Sequence, residues 1–445
     1  MLNKFFKFDE NKTDFKTEII AGITTFLAMS YILSVNPGLL SQTGMSLEGV
    51  FIATAVSSGI ACIIMGIVSN YPIGLAPGMG LNALFTYTVV LGMGLSWQAA
   101  LSAVLLSSIL FLIITLLGVR ESILNEIPND LKLAIGSGIG FFLAFLGLAN
   151  SGIIVSSPDT LIKLGNLLSP PVLLAVIGII LTLILYIRKV PAAVFWGLIA
   201  TAVIGLVFNL VGFTTPNDVM PAVPKTWISF NLDFSPFGGF LSGFDELFKN
   251  IPSLIIILFS MLFVTFFDTT GTLIPLSKEC GYVNEDGTIE GINRAFISDA
   301  IGGIIGAVFG SSTVTAYVES ATGIGLGGRT GFTAVVVGLL FLLSVFFAPA
   351  ILSLFTPSVT TAALVTVGIL MFSQIKEINW DNHAISASVF LTITMMILSS
   401  SISTGIAFGF ITYTTATIAQ GNYKRLKPIV WILCIVFLIY LFFGL

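Results

Sequence analysis

Charge is what this 445-residue chain has least of. Asp, Glu, Lys and Arg make up 9% of it and apolar residues 56%, where a soluble protein carries roughly 25% charged residues. So few charges cannot cover a globule of this size and keep it in solution. A soluble multidomain protein is therefore excluded, and a polytopic membrane protein remains. The single histidine, His383, excludes a multi-histidine metal centre and is expected at a span end without a mechanistic role. The three cysteines, Cys62, Cys280 and Cys434, lie far apart with no CxxC spacing, which argues against a zinc site or a disulfide framework. The motifs GxxxxGKS/T and HExxH are missing, which removes an ATP-driven pump and a zincin protease. Basic residues, 18 in all, are too sparse for a nucleic-acid surface. Neither a metal nor a cofactor is expected. Asn11-Lys12-Thr13 is a formal glycosylation sequon, but the charge distribution below leaves it in the cytoplasm.

What fills the chain instead is a series of long apolar runs. A helix needs about 20 mostly apolar residues to cross a bilayer. Runs bounded by polar breaks predict spans near 18–40, 48–69, 72–95, 97–118, 131–151, 170–187 and 191–211. A second set follows at about 250–277, 291–310, 311–325, 330–350, 357–373, 383–399 and 401–420. The run 428–445 is left over, as a further crossing or an interfacial helix. The first run is not expected to be a cleaved leader, because Glu18 opens it and acidic residues interleave the preceding lysines.

Basic residues test this count. A cytoplasmic N-terminus puts Lys4, Lys7, Lys12, Lys16, Arg120, Lys132, Arg188, Lys189, Lys278, Arg294, Arg329, Lys376, Lys424, Arg425 and Lys427 inside. Only Lys163, Lys225 and Lys249 fall outside. That asymmetry is the positive-inside pattern. Between the two sets, 212–249 is rich in Pro, Gly and aromatics; Trp227, Phe230 and Phe234 suit an interfacial loop outside the membrane. Seven spans is an odd number, so the second half must be inverted relative to the first. Inverted repeats are a transporter signature, with the site where broken helices meet near the midplane. The expected fold is thus an all-α polytopic membrane protein of about 14 transmembrane segments in a 7+7 inverted repeat.

The third and tenth spans are both interrupted. YPIGLAPGMGLNALFTY, 71–87, packs Pro72, Gly74, Pro77, Gly78 and Gly80 together, which predicts an extended stretch with the helix starting near Gly80 or Leu81. In GSSTVTAYVESATGIGLGGRTGF, 310–332, the alternation from Thr313 to Val318 suits extended backbone before a short helix. Extended backbone at membrane depth must be buried in protein or line a cavity; the competing reading is that the glycines only let helices pack closely. GIGLGG at 323–328 lacks a βαβ context and is not a nucleotide fingerprint.

Few carboxylates fall inside spans. Asp268 lies mid-span in FVTFFDTTGTL, Glu319 ends the extended stretch of the tenth span, and Asp299 sits deep in the ninth. An intramembrane charge costs about 2.5 kcal/mol or more and usually marks a substrate or proton path. Asp268 and Glu319 have no neighbouring cation in the sequence, so each is a candidate to exchange a proton or to accept N–H bonds from a neutral substrate. Asn82 adds an amide to the same region, either as a helix N-cap or as a ligand contact. Tyr317 and Phe267 offer aromatic surface to a planar ligand, or simply pack. Asp268 has the alternative of bonding Thr269, Thr270 or Thr272, and Asp299 that of a structural hydrogen-bond partner to the site.

These strings carry a resemblance. FKFDE…EIIAGITTFLAMSYIL, YPIGLAPGMGLNALF, LGMGLSWQAAL, FFDTTGTL, SSTVTAYVESATGI and RTGF run almost end to end, and the chain resembles the AzgA-like purine permeases of the nucleobase/cation symporter superfamily. The resemblance implies 14 spans, with a substrate-holding core domain of spans 1–4 and 8–11 (18–118 and 250–350) and a gate domain of spans 5–7 and 12–14 (131–211 and 351–420). The tail 1–17, the connection 212–249 and the segment 421–445 complete the chain. It also implies that Glu319 binds the base, that Asp268 stands at the eighth-span acid, and that Asn82 follows the third-span break. Thr272 occupies a place where some relatives carry histidine, which puts their proton path in doubt here. Thr25, with Thr24, is a weaker pocket neighbour.

The function this implies is proton-coupled uptake of a purine, guanine or hypoxanthine first, across the cell membrane by alternating access. Adenine selectivity and Na⁺ coupling stay open, as does a homodimer. An anion transporter sharing the fold is less favoured, since carboxylates facing the site repel anions. No arrangement for catalysis is present, so an enzyme is not expected.

Overall fold

Helices end where the sequence gathers glycine, proline and small polar residues. Ser46, Ser96, Asn250, Thr330, Asn382 and Ser401 cap the helices that follow them, each accepting a backbone N–H in the first turn. Gly281 and Gly310 close the eighth and ninth spans at φ of 81° and 89°, a left-handed conformation suited to glycine. The computed structural model describes residues 2–118, 126–284 and 288–443; Arg120 and the chain's final residues lie outside them.

Among the described residues, 11 helices are long and apolar enough to cross a membrane, and Met79–Gly92, His383–Leu398 and Pro428–Phe442 are shorter apolar helices. The spans run Phe15–Thr43, Leu47–Ser69, Met79–Gly92, Trp97–Leu116, Asn129–Asn150, Pro170–Ile187 and Ala193–Leu210, then Ile251–Cys280, Ile292–Phe309, a broken tenth, Gly331–Leu354, Pro357–Glu377, His383–Leu398 and Ile402–Ala419. The boundaries read from the sequence fall within a few residues of these. The third-span helix starts at Met79, slightly before the expected Gly80. One element was not expected: a hairpin of β2 (Ile154–Ser157) and β3 (Leu161–Leu164) between the fifth and sixth spans.

The packing carries the signature of an inverted repeat, because contacts exchange between halves. The second span packs on the eleventh, and its counterpart the ninth packs on the fourth. Likewise the sixth packs on the twelfth and the thirteenth on the fifth, while the fifth and twelfth pack on each other. Small residues allow the closest approaches. A Cβ on Gly338 would stand 2.6 Å from the Gly59 carbonyl, and one on Gly59 would stand 3.0 Å from that of Gly338.

The leftover apolar run forms the helix Pro428–Phe443. Tyr440, near its end, meets Thr404, near the start of the fourteenth span, at 3.3 Å, so it runs back lengthwise along that span. Phe437 fits between Phe410 of that span and Phe259 and Phe263 of the eighth, with ring centroids 5.3–5.6 Å apart.

The 212–249 connection seals one end of the bundle. Asp233 accepts from the Ser46 hydroxyl, and Glu246 accepts from the Ser96 backbone at 3.0 Å and from the Ser96 hydroxyl, so the two acids close the N-termini of the second and fourth spans. The Ser46 hydroxyl beside it holds the Asp233 carboxyl below the usual carboxylate range. A depressed value adds stability above the unfolded-state pKa, and that contribution is lost as pH falls through the folded one. Asp233→Ala should therefore lower the melting temperature of the purified protein at neutral pH, with the difference shrinking below about pH 4. Gly338→Val should cost about 1–3 kcal/mol by overpacking and lower the melting temperature. Gly38→Ala, with nothing within 4 Å of the new Cβ and a helical position that favours alanine, should not lower it.

Candidate functional site

The two interruptions meet. β1 (Leu75–Pro77) pairs antiparallel with β4 (Val314–Ala316), Ala76 opposite Thr315. Gly78 N–H donates to the Thr313 carbonyl at 2.9 Å and Tyr317 N–H to that of Gly74 at 3.0 Å. Extended backbone deep in the bundle thus satisfies its own hydrogen bonds. Pro77, which lacks a donor, sits at the strand's end. Each strand hands over directly to a helical turn, at Met79 and at Val318.

Behind the strands lies a buried polar scaffold. Asp299 accepts from Ala316 N–H at 2.8 Å and Thr315 Oγ1 at 3.0 Å, and its other oxygen accepts from Thr269 Oγ1 at 2.7 Å. One side chain therefore ties the ninth, eighth and tenth spans together. Asn82 is fully buried, takes the Ser312 hydroxyl on Oδ1, and lies inside its helix. Gly78 is the N-cap, so the N-cap reading of Asn82 is corrected.

In front of the strands is a cavity of about 540 Å³, within the range of small-molecule sites. Asp268, Glu319, Tyr317, Phe267 and Thr272 all line it. Asn82, Asp299 and Thr25 do not. Thr25 is instead buried against Gly323, where it lets the first and tenth spans approach. Asp268 has no hydrogen-bond partner among the described residues: Thr269 turns to Asp299, and Thr270 donates to the Phe266 carbonyl at 2.6 Å. The alternative that Asp268 merely bonds its threonine neighbours therefore does not hold for Thr269. Glu319 Oε1 accepts from Tyr31 Oη at 2.6 Å, and Tyr317 Oη donates to the Pro77 carbonyl at 2.5 Å.

The register adds an asymmetry. A two-fold through the Ala76–Thr315 pair sets Gly78 against Tyr317 and Gly80 against Glu319. The second half thus presents a ring and a carboxylate where the first presents bare backbone. A Cβ on Gly78 would lie 2.8 Å from Thr315 Cγ2 and 3.2 Å from Asp268 Oδ2, so glycine there keeps the space beside Asp268 open.

The opposite wall is apolar, from Ile135, Ile139, Leu143, Val367, Leu370 and Met371 on the fifth and twelfth spans. The cavity reaches span ends bearing Lys132, Lys278 and Glu377. Lys278 is ten residues along the helix from Asp268, about 15 Å at 1.5 Å per residue, and does not pair with it. Sequence reasoning missed Tyr31 and the apolar wall. The wall residues read as ordinary helix faces, and the only local mark on Tyr31 is the helix break at Ser30.

Two acceptor carboxylates, aromatic rings and an apolar far wall suit a flat neutral ligand rich in N–H donors. A family model described as a permease family (Xan_ur_permease) matches residues 16–408. The chain belongs to this permease family. Among the permeases it resembles, the guanine/hypoxanthine permease PbuG of Bacillus subtilis is 44% identical over 99% of this chain and 100% of that protein. A putative permease of Methanocaldococcus jannaschii is 44% identical over 98% of this chain and 97% of its own. The adenine permease AdeP of Escherichia coli is 39% identical over 100% of this chain and 96% of its own. These relatives are transporters rather than enzymes. By structure, the permease is similar to the transmembrane domain of the cyanobacterial bicarbonate transporter BicA, with TM-score 0.64, 14% identity, and coverage of 88% of this chain and 96% of that one. It is also similar to murine solute carrier 26 family member A9, an anion transporter solved in the inward-facing state, with TM-score 0.59, 10% identity, and coverage of 92% and 69%. At those identities the likeness concerns the fold. The family and the many apolar helices make the permease a multi-pass membrane protein.

Asp299→Ala would leave the Ala316 N–H without its acceptor and the Thr269 and Thr315 hydroxyls with only each other, 3.1 Å apart, at about 1–3 kcal/mol for each buried group left unsatisfied. Its melting temperature should fall well below wild type, with Asp299→Asn, which keeps one acceptor, in between.

Proposed function

We propose that this permease takes up purine nucleobases, guanine or hypoxanthine first, across the cell membrane in symport with a proton. The observation that carries the proposal is the pairing of Glu319 and Asp268 on one cavity at the strand crossing, in a chain 44% identical to a guanine/hypoxanthine permease along its whole length. Purines offer ring N–H and amino donors to carboxylates and flat faces to Tyr317 and Phe267. Glu319, with one oxygen turned to Tyr31, is the proposed base acceptor. Asp268, lacking a protein partner among the described residues, is the proposed proton carrier. Asp299 supports both through the strand it holds, and Thr272 contributes a hydroxyl one turn beyond Asp268.

Movement is proposed between two helix groups. Spans 1–4 and 8–11 form a core carrying the crossing, and spans 5–7 and 12–14 form a gate carrying the apolar wall. With the N-terminus cytoplasmic, the cavity reaches the cytoplasmic ends at Lys132, Lys278 and Glu377, which corresponds to an inward-open state. The solved neighbours include anion carriers, but two carboxylates facing the cavity disfavour an anion. The adenine permease relative, 39% identical, supports adenine as the second substrate reading.

Labelled guanine, hypoxanthine and adenine are to be offered to cells lacking their own purine permeases, with and without a protonophore. Uptake should be protonophore-sensitive and fall by roughly one to two orders of magnitude in well-expressed Glu319→Gln, the scale of a lost hydrogen bond to a charged group. Asp268→Asn should uncouple or abolish it. Uptake that survives the protonophore but follows a Na⁺ gradient would replace the proton. Uptake unchanged in Glu319→Gln would overturn the site.

A further inference from the structure

We infer that Tyr31 is a positioning residue for Glu319 and sets how the site distinguishes purines that differ in their N–H donors; this rests on the purine reading above. Tyr31 lies where the first span breaks, between the helices Phe15–Met29 and Ile32–Leu40. Tight backbone bonds fix the break: Leu33 N–H donates to the Ser30 carbonyl at 3.1 Å and Ser34 N–H to that of Tyr31 at 3.0 Å. The break aims a phenol 1% exposed to solvent into the cavity, where it donates to Glu319 Oε1 at 2.6 Å.

Among the described residues, no neighbouring hydroxyl duplicates this contact. Tyr317 Oη is committed to the Pro77 carbonyl at 2.5 Å, and Thr322 Oγ1 donates to the backbone carbonyl of Glu319 at 2.7 Å rather than to its carboxylate. Glu319 therefore meets a ligand with Oε1 already engaged by the phenol, whereas no hydroxyl among the described residues bonds Oε2.

The consequence follows from the ligands' edges. Guanine carries two parallel donors on its six-membered ring, the N1–H and the 2-amino group, and can span both oxygens of a carboxylate. Hypoxanthine has the N1–H alone. While Tyr31 holds one acceptor site of Oε1, the second guanine donor must share that oxygen with the phenol and gains less from it, which narrows the difference between the two bases. Removing the phenol oxygen frees Oε1, and only guanine can use it.

The test is equilibrium binding of labelled guanine and hypoxanthine to the purified full chain at one fixed pH. Wild type, Tyr31→Phe, Tyr31→Met, Tyr31→His and Glu319→Gln are compared. Tyr31→Phe keeps the ring and its packing, and Tyr31→Met removes the donor by a different route should the first variant fold poorly. In both, the ratio of the hypoxanthine Kd to the guanine Kd should rise about tenfold, the scale of one hydrogen bond to a charged group. Tyr31→His restores an N–H donor and should return the ratio toward wild type. A purely structural role would weaken both bases by the same factor, and an unchanged ratio overturns the inference while leaving the purine site intact. Wild type that binds neither base, or Glu319→Gln that binds as wild type does, removes the purine reading and the inference with it.

Discussion

Everything in this molecule depends on a backbone hydrogen-bond requirement met in an unusual place. In a bilayer each N–H and C=O must find a partner within the protein, and helices meet the demand internally. Here two short strands, Leu75–Pro77 and Val314–Ala316, leave the helical regime and satisfy one another across the centre of the bundle. The pairing works only if both halves of the chain break at the same depth. That ties the Pro and Gly of the third span to the alternating Thr and Val of the tenth. Asp299 completes the arrangement from behind, accepting from the strand and from the eighth span. A carboxylate in the apolar interior is thereby consumed in holding backbone.

That division of labour explains why three intramembrane acids are not equivalent. Asp299 faces the back of the crossing and is surrounded by donors, whereas Asp268 and Glu319 face the cavity. Of these two, Glu319 has a phenol on one oxygen and Asp268 has no protein partner among the described residues. The pseudo-symmetry sharpens the contrast, because bare glycine backbone at Gly78 and Gly80 stands at the positions equivalent to Tyr317 and Glu319 in the other half. The two halves share a backbone geometry and divide the chemistry, one supplying room and the other contacts.

The cavity also lies against surfaces of different character. On the crossing side they are polar and fixed by buried hydrogen bonds; on the side of the fifth and twelfth spans they are apolar, with Ile135, Ile139, Leu143 and Val367. Apolar surfaces slide without breaking directional bonds, which suits the proposed movement between two helix groups. Phe437 of the final helix bridges the eighth and fourteenth spans through ring contacts, which are of the same non-directional kind.

Much of this was legible in the chain itself. Span number, boundaries and both interruptions follow from apolar length and from Gly, Pro and polar breaks, because the bilayer imposes one dominant constraint and composition reports it directly. Asp268 and Glu319 stood out for the same reason, since a charge in an apolar run is costly wherever it sits. Facing was not legible. Asn82 and Thr25 read as pocket residues and are buried behind or beside the crossing, Asp299 reads like the other acids and serves the scaffold, and Tyr31 reads as an unremarkable aromatic. Which side of a strand or helix meets the cavity depends on how partners hundreds of residues away are packed, as Tyr31 and Glu319 are. Apolar length and composition settle what the membrane accepts; long-range packing settles which polar groups hold the backbone and which face the cavity.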